Sequence, residues 1–292
     1  MTRLDLPAPA RRLLAAIVLL PAAAAAAAGA NVVREDATIK SAGLPDVRAT
    51  VFTVDPARAR IRVLTAQDVK YGPSDHHGVS VREAADTPLV GRVITRHTLL
   101  FNGGFSAADT DVPAGLLVSD GAIVSLASYA TKRADPASAC ALRRVERPRL
   151  SGVFCVAPSG AVSIEGLDKT NFDRCQQAVQ AGPMLVERPG EPGVCDGATE
   201  SAIRTAVCLR GQQLLVVVTA APITLHSLAT WLAAPAGANG LGCERALNLS
   251  GDTSSGAVYF PGGLASIKNR FKAGLGTYPV PSLILVQSNT IP

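Results

Sequence analysis

The chain has 292 residues, a formal net charge of +5, 48% hydrophobic residues and 17% charged ones. That balance is too apolar for a disordered chain and too lightly charged for a nucleic-acid arm. No Lys/Arg-rich block carries aromatic partners, so DNA or RNA recognition has no support.

Met1 to Ala30 reads as a leader. Arg3, Arg11 and Arg12 precede an apolar run from Leu13 to Ala28 that ends in Ala28-Gly29-Ala30, the three-part layout of a secretory signal peptide. The run is short for a membrane span, contains Pro21 and lacks a stop-transfer flank. Cleavage after Ala30 leaves residues 31–292 as one expected domain. Its charge falls from +5 to +3, because Arg3, Arg11, Arg12 and Asp5 leave together. No later apolar stretch exceeds strand length, so the expectation is a periplasmic or secreted protein with no stable membrane insertion. All six cysteines (Cys140, Cys155, Cys175, Cys195, Cys208 and Cys243) follow the leader, and an even number in an exported chain suggests disulfides. There is no C-x-x-C pair, and the four histidines do not cluster with cysteine, so no zinc site is expected. Pairing neighbours in sequence gives Cys140–Cys155, Cys175–Cys195 and Cys208–Cys243.

Strands are expected at Arg48–Val54 and Arg60–Leu64, then a short helix through Val81 to Ala85. Three hairpins follow: Leu116–Ser119 with Ala122–Val124 around Asp120-Gly121, Val153–Val156 with Val162–Ile164 around Ser159-Gly160, and Ile203–Leu209 with Leu214–Thr219 around Arg210-Gly211. Ala130 to Pro148, with Pro136 and Pro148, reads as an exposed excursion. Phe172, Cys175 and Val179 suggest a short helix. Leu225, Leu228, Ala229 and Leu232 lie on one helical face behind Thr224, a good N-cap. A last strand is expected at Leu283–Val286. Hairpins outnumber helices and no β-α-β rhythm appears, which predicts an α+β fold with a mainly antiparallel or mixed sheet.

Four polar, glycine-rich segments interrupt or end the apolar strands. In Phe101-Asn102-Gly103-Gly104-Phe105, paired glycines permit close backbone approach and Asn102 can bond a sugar hydroxyl; from this segment alone, a tight turn held by an Asx bond is the better reading. In Gln180-Ala181-Gly182-Pro183-Met184-Leu185-Val186, Gly-Pro marks a turn into a strand. Arg204-Thr205 puts an arginine in an apolar strand, either to hold a carboxylate or phosphate or to reach solvent from a sheet edge. From Ala246 through Asn248-Leu249-Ser250-Gly251-Asp252-Thr253-Ser254-Ser255-Gly256, a buried strand opens into small polar residues with an acid among them.

Together the four segments resemble the phosphodiester glycosidase family. Its Asn-Gly-Gly-Phe-Phe block is similar to Asn102–Phe105, its following hairpin to Gly115–Val124 and its Gly-Pro-Leu strand to Gly182–Val186. Its Arg-Thr-Ala block is similar to Arg204-Thr205-Ala206, and its Asn-Leu-Asp-Gly-Gly-Gly-Ser block to Asn248–Ser254. The order holds over roughly Val79 to Val286. The sequence also departs from the pattern: Ser250 stands where the family has Asp, Asp252 and Thr253 replace two glycines, and Ser106 replaces the second Phe.

The resemblance implies an exported hydrolase of a sugar 1-phosphodiester or a related envelope glycan. A phosphate monoester leaves readily, so cleavage at the anomeric carbon needs a cation for the phosphate and a carboxylate for the water or the developing positive charge. Arg204 fits the first role and Asp252 the second, with Asp111 in reserve. Asn102, Gly103, Gly104, Gly182, Thr205, Asn248, Ser250, Gly251, Ser254 and Ser255 complete the expected substrate site. No cofactor is implied. Asp109-Thr110-Asp111 has donors for a hard cation such as Ca²⁺, although a solvated loop is the simpler reading, and His76, His77, His97 and His226 lack metal spacing. Asn248-Leu249-Ser250 matches a glycosylation sequon but falls in a buried strand. The competing reading is a non-catalytic glycan-binding member that lost activity through Ser250. A serine hydrolase lacks both a G-x-S-x-G elbow and a histidine motif.

Overall fold

The computed structural model describes residues 30–41, 45–69, 78–87, 93–107, 112–129, 131–132, 147–148, 150–195 and 200–289. The leader, His76-His77, Asp109-Thr110-Asp111, Cys140 and most of the 130–148 excursion lie outside the described residues.

In chain order, β1 (Val32–Ile39) and β2 (Val47–Val54) pair along their whole length. Asp55 accepts from the Ala57 amide at 3.1 Å and so caps a single 3-10 turn into β3 (Ala59–Thr65). Helices α1 (Ala66–Val69) and α2 (Val81–Ala84) follow, α2 closed by a reciprocal capping box of Ser80 and Glu83. Next come β4 (Thr98–Asn102), β5 (Leu117–Ser119), β6 (Ala122–Ser125), the short pair β7 (Thr131–Lys132) and β8 (Arg147–Pro148), β9 (Gly152–Val156) and β10 (Val162–Gly166). After β11 (Gln177–Ala181), β12 (Met184–Arg188) and β13 (Glu191–Pro192), the chain forms β14 (Ser201–Ala202), β15 (Arg204–Arg210), β16 (Gln213–Thr219) and β17 (Ile223–Thr224). Helix α3 (Leu225–Ala233) starts where Thr224 accepts from the Ser227 amide, as its sequence predicts. The chain closes with β18 (Arg245–Gly251), β19 (Gly256–Phe260), β20 (Phe271–Gly274) and β21 (Ser282–Ser288).

These strands build three large sheets, ordered β1-β2-β16-β15-β18-β12-β13, β10-β9-β11-β5-β6 and β20-β19-β4-β21-β3. Every pairing among the described strands is antiparallel. The fold is therefore mainly β, with three short α-helices among the described residues, rather than α+β; the mixed-sheet alternative falls as well. The helix expected around Phe172 is a 3-10 turn over Phe172–Arg174 that gives way to β11. Pairing of β11 with β9 on one side and β5 on the other outweighs the helical spacing of three apolar residues.

The seven-stranded sheet is apolar on both faces. Leu214, Val216 and Val218 enter a core shared with the two five-stranded sheets, while Leu215 and Val217 pack with Leu228, Trp231 and Leu232 of α3. Asn31–Pro292 form one compact unit by themselves.

Two disulfides obey one rule: a strand cysteine bonds the lead-in to its antiparallel neighbour. Cys155 faces Ala178 and bonds Cys175, and Cys208 faces Ala246 and bonds Cys243, with Cα separations of 5.5 and 5.7 Å. Cys208–Cys243 agrees with the sequence expectation. Cys155–Cys175 overturns both Cys140–Cys155 and Cys175–Cys195, because strand adjacency and not sequence proximity brings sulfurs together. Cys195 is disulfide-bonded too.

Candidate active site

Four segments distant in sequence meet around the end of β15. Arg204 lies opposite Gly251 and Thr205 opposite Ser250; the register then slips by one residue, so Ala206 faces Asn248. This bulge opens the end of β18 just before Asp252. A Cβ at Gly251 would fall 2.8 Å from an Arg204 terminal nitrogen, so glycine is what lets the guanidinium lie against this strand. The Gly182–Pro183 turn joins through Asn248, whose Nδ2 donates to the Gly182 carbonyl at 2.9 Å and whose amide donates to the Pro183 carbonyl at 3.1 Å. The Asn102 segment joins through Gly256, whose amide donates to Asn102 Oδ1 at 3.1 Å.

Arg204 is 8% exposed and sits on the central strand of its sheet, which excludes an edge arginine reaching solvent. Its amide donates to Thr219 Oγ1 at 2.9 Å. Among the described residues its side chain has no hydrogen-bond or ion-pair partner, and Nε is fully buried. Burial lowers the Arg204 pKa, and the charges of Asp252 and Glu200 act against that shift. Asp252 is exposed and adopts a left-handed φ of 55°, its amide donating to the Ile203 carbonyl at 2.8 Å. That conformation is the one a glycine would favour, and aspartate is among the few residues that tolerate it. Next to it, Ser254 Oγ donates to the Gly251 carbonyl at 2.6 Å and is in close hydrogen-bond contact with Ser250 Oγ.

Seven buried side-chain polar atoms among the described residues lack a hydrogen bond, and four of them sit here: Arg204 Nε, Thr205 Oγ1, Asn248 Oδ1 and Ser255 Oγ. Unpaired buried polar atoms are costly, so such a concentration makes this end of β15 the candidate site.

Other expected residues serve the scaffold. Asn102 is fully buried; its Nδ2 donates to the Gly103 carbonyl at 3.1 Å and its Oδ1 is held by Gly256, the Asx-braced turn. Gly103 and Gly104 make room for the protein's own chain: a Cβ would lie 2.9 Å from the Ser282 carbonyl oxygen and 2.8 Å from that of Gln180. His97 Nδ1 hydrogen-bonds Tyr259 Oη at 2.7 Å and His226 Nδ1 hydrogen-bonds the Val194 carbonyl at 2.9 Å, so both are structural. Asn248, at 1% exposure, is no glycan acceptor in the folded chain. Sequence reasoning missed Glu200, whose charge reaches Arg204, and Gln180, which lies inside the quoted Gly-Pro segment.

The phosphodiester glycosidase family model matches residues 96–287, which takes in all four segments. The chain belongs to the phosphodiester glycosidase family. Among curated proteins none matches it. Its fold resembles the zebrafish N-acetylglucosamine-1-phosphodiester alpha-N-acetylglucosaminidase catalytic domain auto-inhibited by its pro-peptide, at 17% identity and a TM-score of 0.59, covering 89% of this chain and 84% of that one. A hypothetical protein from Synechocystis aligns at 14% identity and a TM-score of 0.52, covering 88% of this chain and 62% of that one. At these identities the likeness is one of fold. Family membership makes this phosphodiester glycosidase-like protein a glycosidase-like hydrolase with a glycan-type substrate. Among the described residues no helix is long and apolar enough to cross a membrane.

Proposed function

We propose that the protein is exported and hydrolyses a sugar 1-phosphodiester or a related envelope glycan. The observation that carries this reading is the buried Arg204, whose side chain makes no hydrogen bond or ion pair among the described residues, set among unpaired hydroxyl and amide atoms. A guanidinium that no carboxylate bonds directly is prepared for a phosphate, which it can meet through two parallel hydrogen bonds. Asp252 stands beside it on an exposed turn, able to activate a water for attack on the anomeric carbon. The bond from that carbon to the phosphate oxygen then breaks, and the phosphate monoester leaves against Arg204. Thr205, Asn248 and Ser255 offer atoms to the sugar hydroxyls, while Asn102, Gly103 and Gly182 position these segments. The disulfides and the leader layout support an oxidising compartment, periplasmic or extracellular. The start of the compact unit at Asn31 supports a domain of residues 31–292.

A second reading rests on Ser250. Its hydroxyl is tied to Ser254 where the family carries Asp, which favours a member that holds a glycan without cleaving it. Screening the secreted protein against sugar 1-phosphodiesters, beside Arg204→Ala, Asp252→Asn and Ser250→Asp, separates the two. An active wild type and inactive Arg204 and Asp252 variants support the hydrolase. Activity that appears only in Ser250→Asp gives the binding reading instead. Intact mass of the secreted protein should correspond to residues 31–292 with all cysteines oxidised.

A further inference from the structure

Strand β15 has a second end. Arg204 opens it, and Leu209 lies about 17 Å away at ~3.4 Å per residue. Around that far end all three sheets contribute to a cavity of about 800 Å³, within the usual range for small-molecule sites. Its walls are the β2–β3 connection and β3, the β9–β10 turn, the residues leading into β11 and the β15–β16 turn.

The chemistry of the walls is specific. Ile61, Val156, Val162 and Leu209 supply apolar surface, but no aromatic side chain lines the cavity, so it has no platform for stacking a neutral sugar ring. Both carboxylates are already engaged. Asp55 caps its turn and pairs with Arg58 at 3.4 Å. Asp120 accepts from Arg62 at 2.7 Å and from Gln177 Nε2 at 2.7 Å. Despite partial burial, which raises it, the Asp120 pKa is lowered overall by the hydrogen bonds from Arg62 and Gln177 and by the charges of Arg62 and Arg60. What remains is the guanidinium of Arg60, exposed on β3 two residues from Arg62; its charge acts on Asp120 at longer range, but among the described residues it makes no hydrogen bond or ion pair. The side-chain amide of Gln176, also in the lining, is likewise unengaged among the described residues: only its backbone is bonded, to Val156 and Gly121. Arg62 Nε, buried and unpartnered, is one of only three such atoms outside the Arg204 cluster among the described residues.

We propose that this cavity is a second ligand site that takes a small sugar carrying a phosphate or a carboxylate, with Arg60 meeting the anion and Gln176 meeting hydroxyls. It is separate from the Arg204 site and does not depend on catalysis there. The test is amide NMR titration of the secreted protein with glucose 1-phosphate, glucuronate, glucose and inorganic phosphate. The expected result is that at least one anionic sugar shifts Gly160 and Gly211, which lie in the lining turns, while neutral glucose does not. The better of the two sugars tells phosphate from carboxylate. Arg60→Ala should weaken binding about tenfold and Gln176→Ala should weaken it as well, the scale of a charge-assisted hydrogen bond. Arg204→Ala should leave it within about twofold. Binding insensitive to Arg60→Ala, binding abolished by Arg204→Ala, or no shifts at these turns with either sugar would overturn the proposal. Inorganic phosphate binding as tightly as glucose 1-phosphate would overturn the assignment to a sugar. Inactivity in the phosphodiester screen bears only on the Arg204 site.

Discussion

The interior of the β10-β9-β11-β5-β6 sheet and the end of β15 bury polar groups in opposite ways. In the first, the Gln180 amide makes four hydrogen bonds: its oxygen accepts from Leu116 N at 2.8 Å and Ser128 N at 2.9 Å, and its nitrogen donates to the carbonyls of Ser128 at 2.7 Å and Leu150 at 2.9 Å. Gln177, three residues earlier, accepts from Val63 N at 2.9 Å and donates to Asp120. At β15, by contrast, a cation, two hydroxyls and an amide oxygen are buried without hydrogen bonds. Since each unpaired group costs stability, the fold evidently can match polar atoms one to one and does not do so around Arg204. Matched amides hold loops in place. Under the proposed function, the unmatched groups are those kept for the substrate.

Mutation can break this contrast at its strongest point. Arg204→Ala should lower phosphodiester hydrolysis about a hundredfold or more, the cost of losing one group that stabilises transition-state charge, yet leave the melting temperature unchanged or higher, because it removes an unpaired buried charge. A variant that unfolds and is inactive would place Arg204 with the scaffold. Gln180→Leu should behave in the opposite manner. It orphans two amides and two carbonyls, and urea unfolding should show a loss of about 3 kcal/mol or more.

Tyr259 sharpens the matched class through pH. Its hydroxyl donates to the Val32 carbonyl at 3.1 Å, and burial pushes its pKa up to about 12, with Arg34 pulling the other way. The unfolded chain releases this proton near the ordinary value of 10.0, so stability is lost as pH rises from there towards about 12, by on the order of 2 kcal/mol. Tyr259→Phe should abolish that part of the alkaline loss. His97 runs the other way. Burial first, and then Arg96, lower its pKa, so the destabilisation it brings appears only as pH falls below 6.5. The smallest expected stability change is at Asp252. With φ at 55°, Asp252→Gly should relieve the left-handed backbone and raise stability by no more than about 1 kcal/mol, while removing the carboxylate to which the proposed mechanism assigns water activation.

How much of this was legible in the sequence varied with the range of the cause. The hairpins, α3 with its Thr224 cap and the four polar segments are local patterns, and they stand where expected. The β15–β16 turn is displaced by one residue, onto Gly211-Gln212, since Arg210 pairs with Gln213. Strand β1 went unseen because Arg34, Glu35 and Asp36 break its apolar pattern, as an edge strand allows. The role of Gln180 was hidden for another reason: its partners come from three remote loops, and nothing in a lone glutamine announces them. Asn102 and Gly104 were visible as special, but only the fold shows that the close approach they permit is to the chain itself.

Strand β16 carries a last consequence. Its alternate side chains build two different apolar clusters, one shared with the five-stranded sheets and one with α3, so each cluster uses the same strand as a wall. Neither can melt while the other stands. Despite three sheets and several separate clusters, heat should therefore take the chain apart in one cooperative transition, with near-UV and far-UV signals lost at the same temperature.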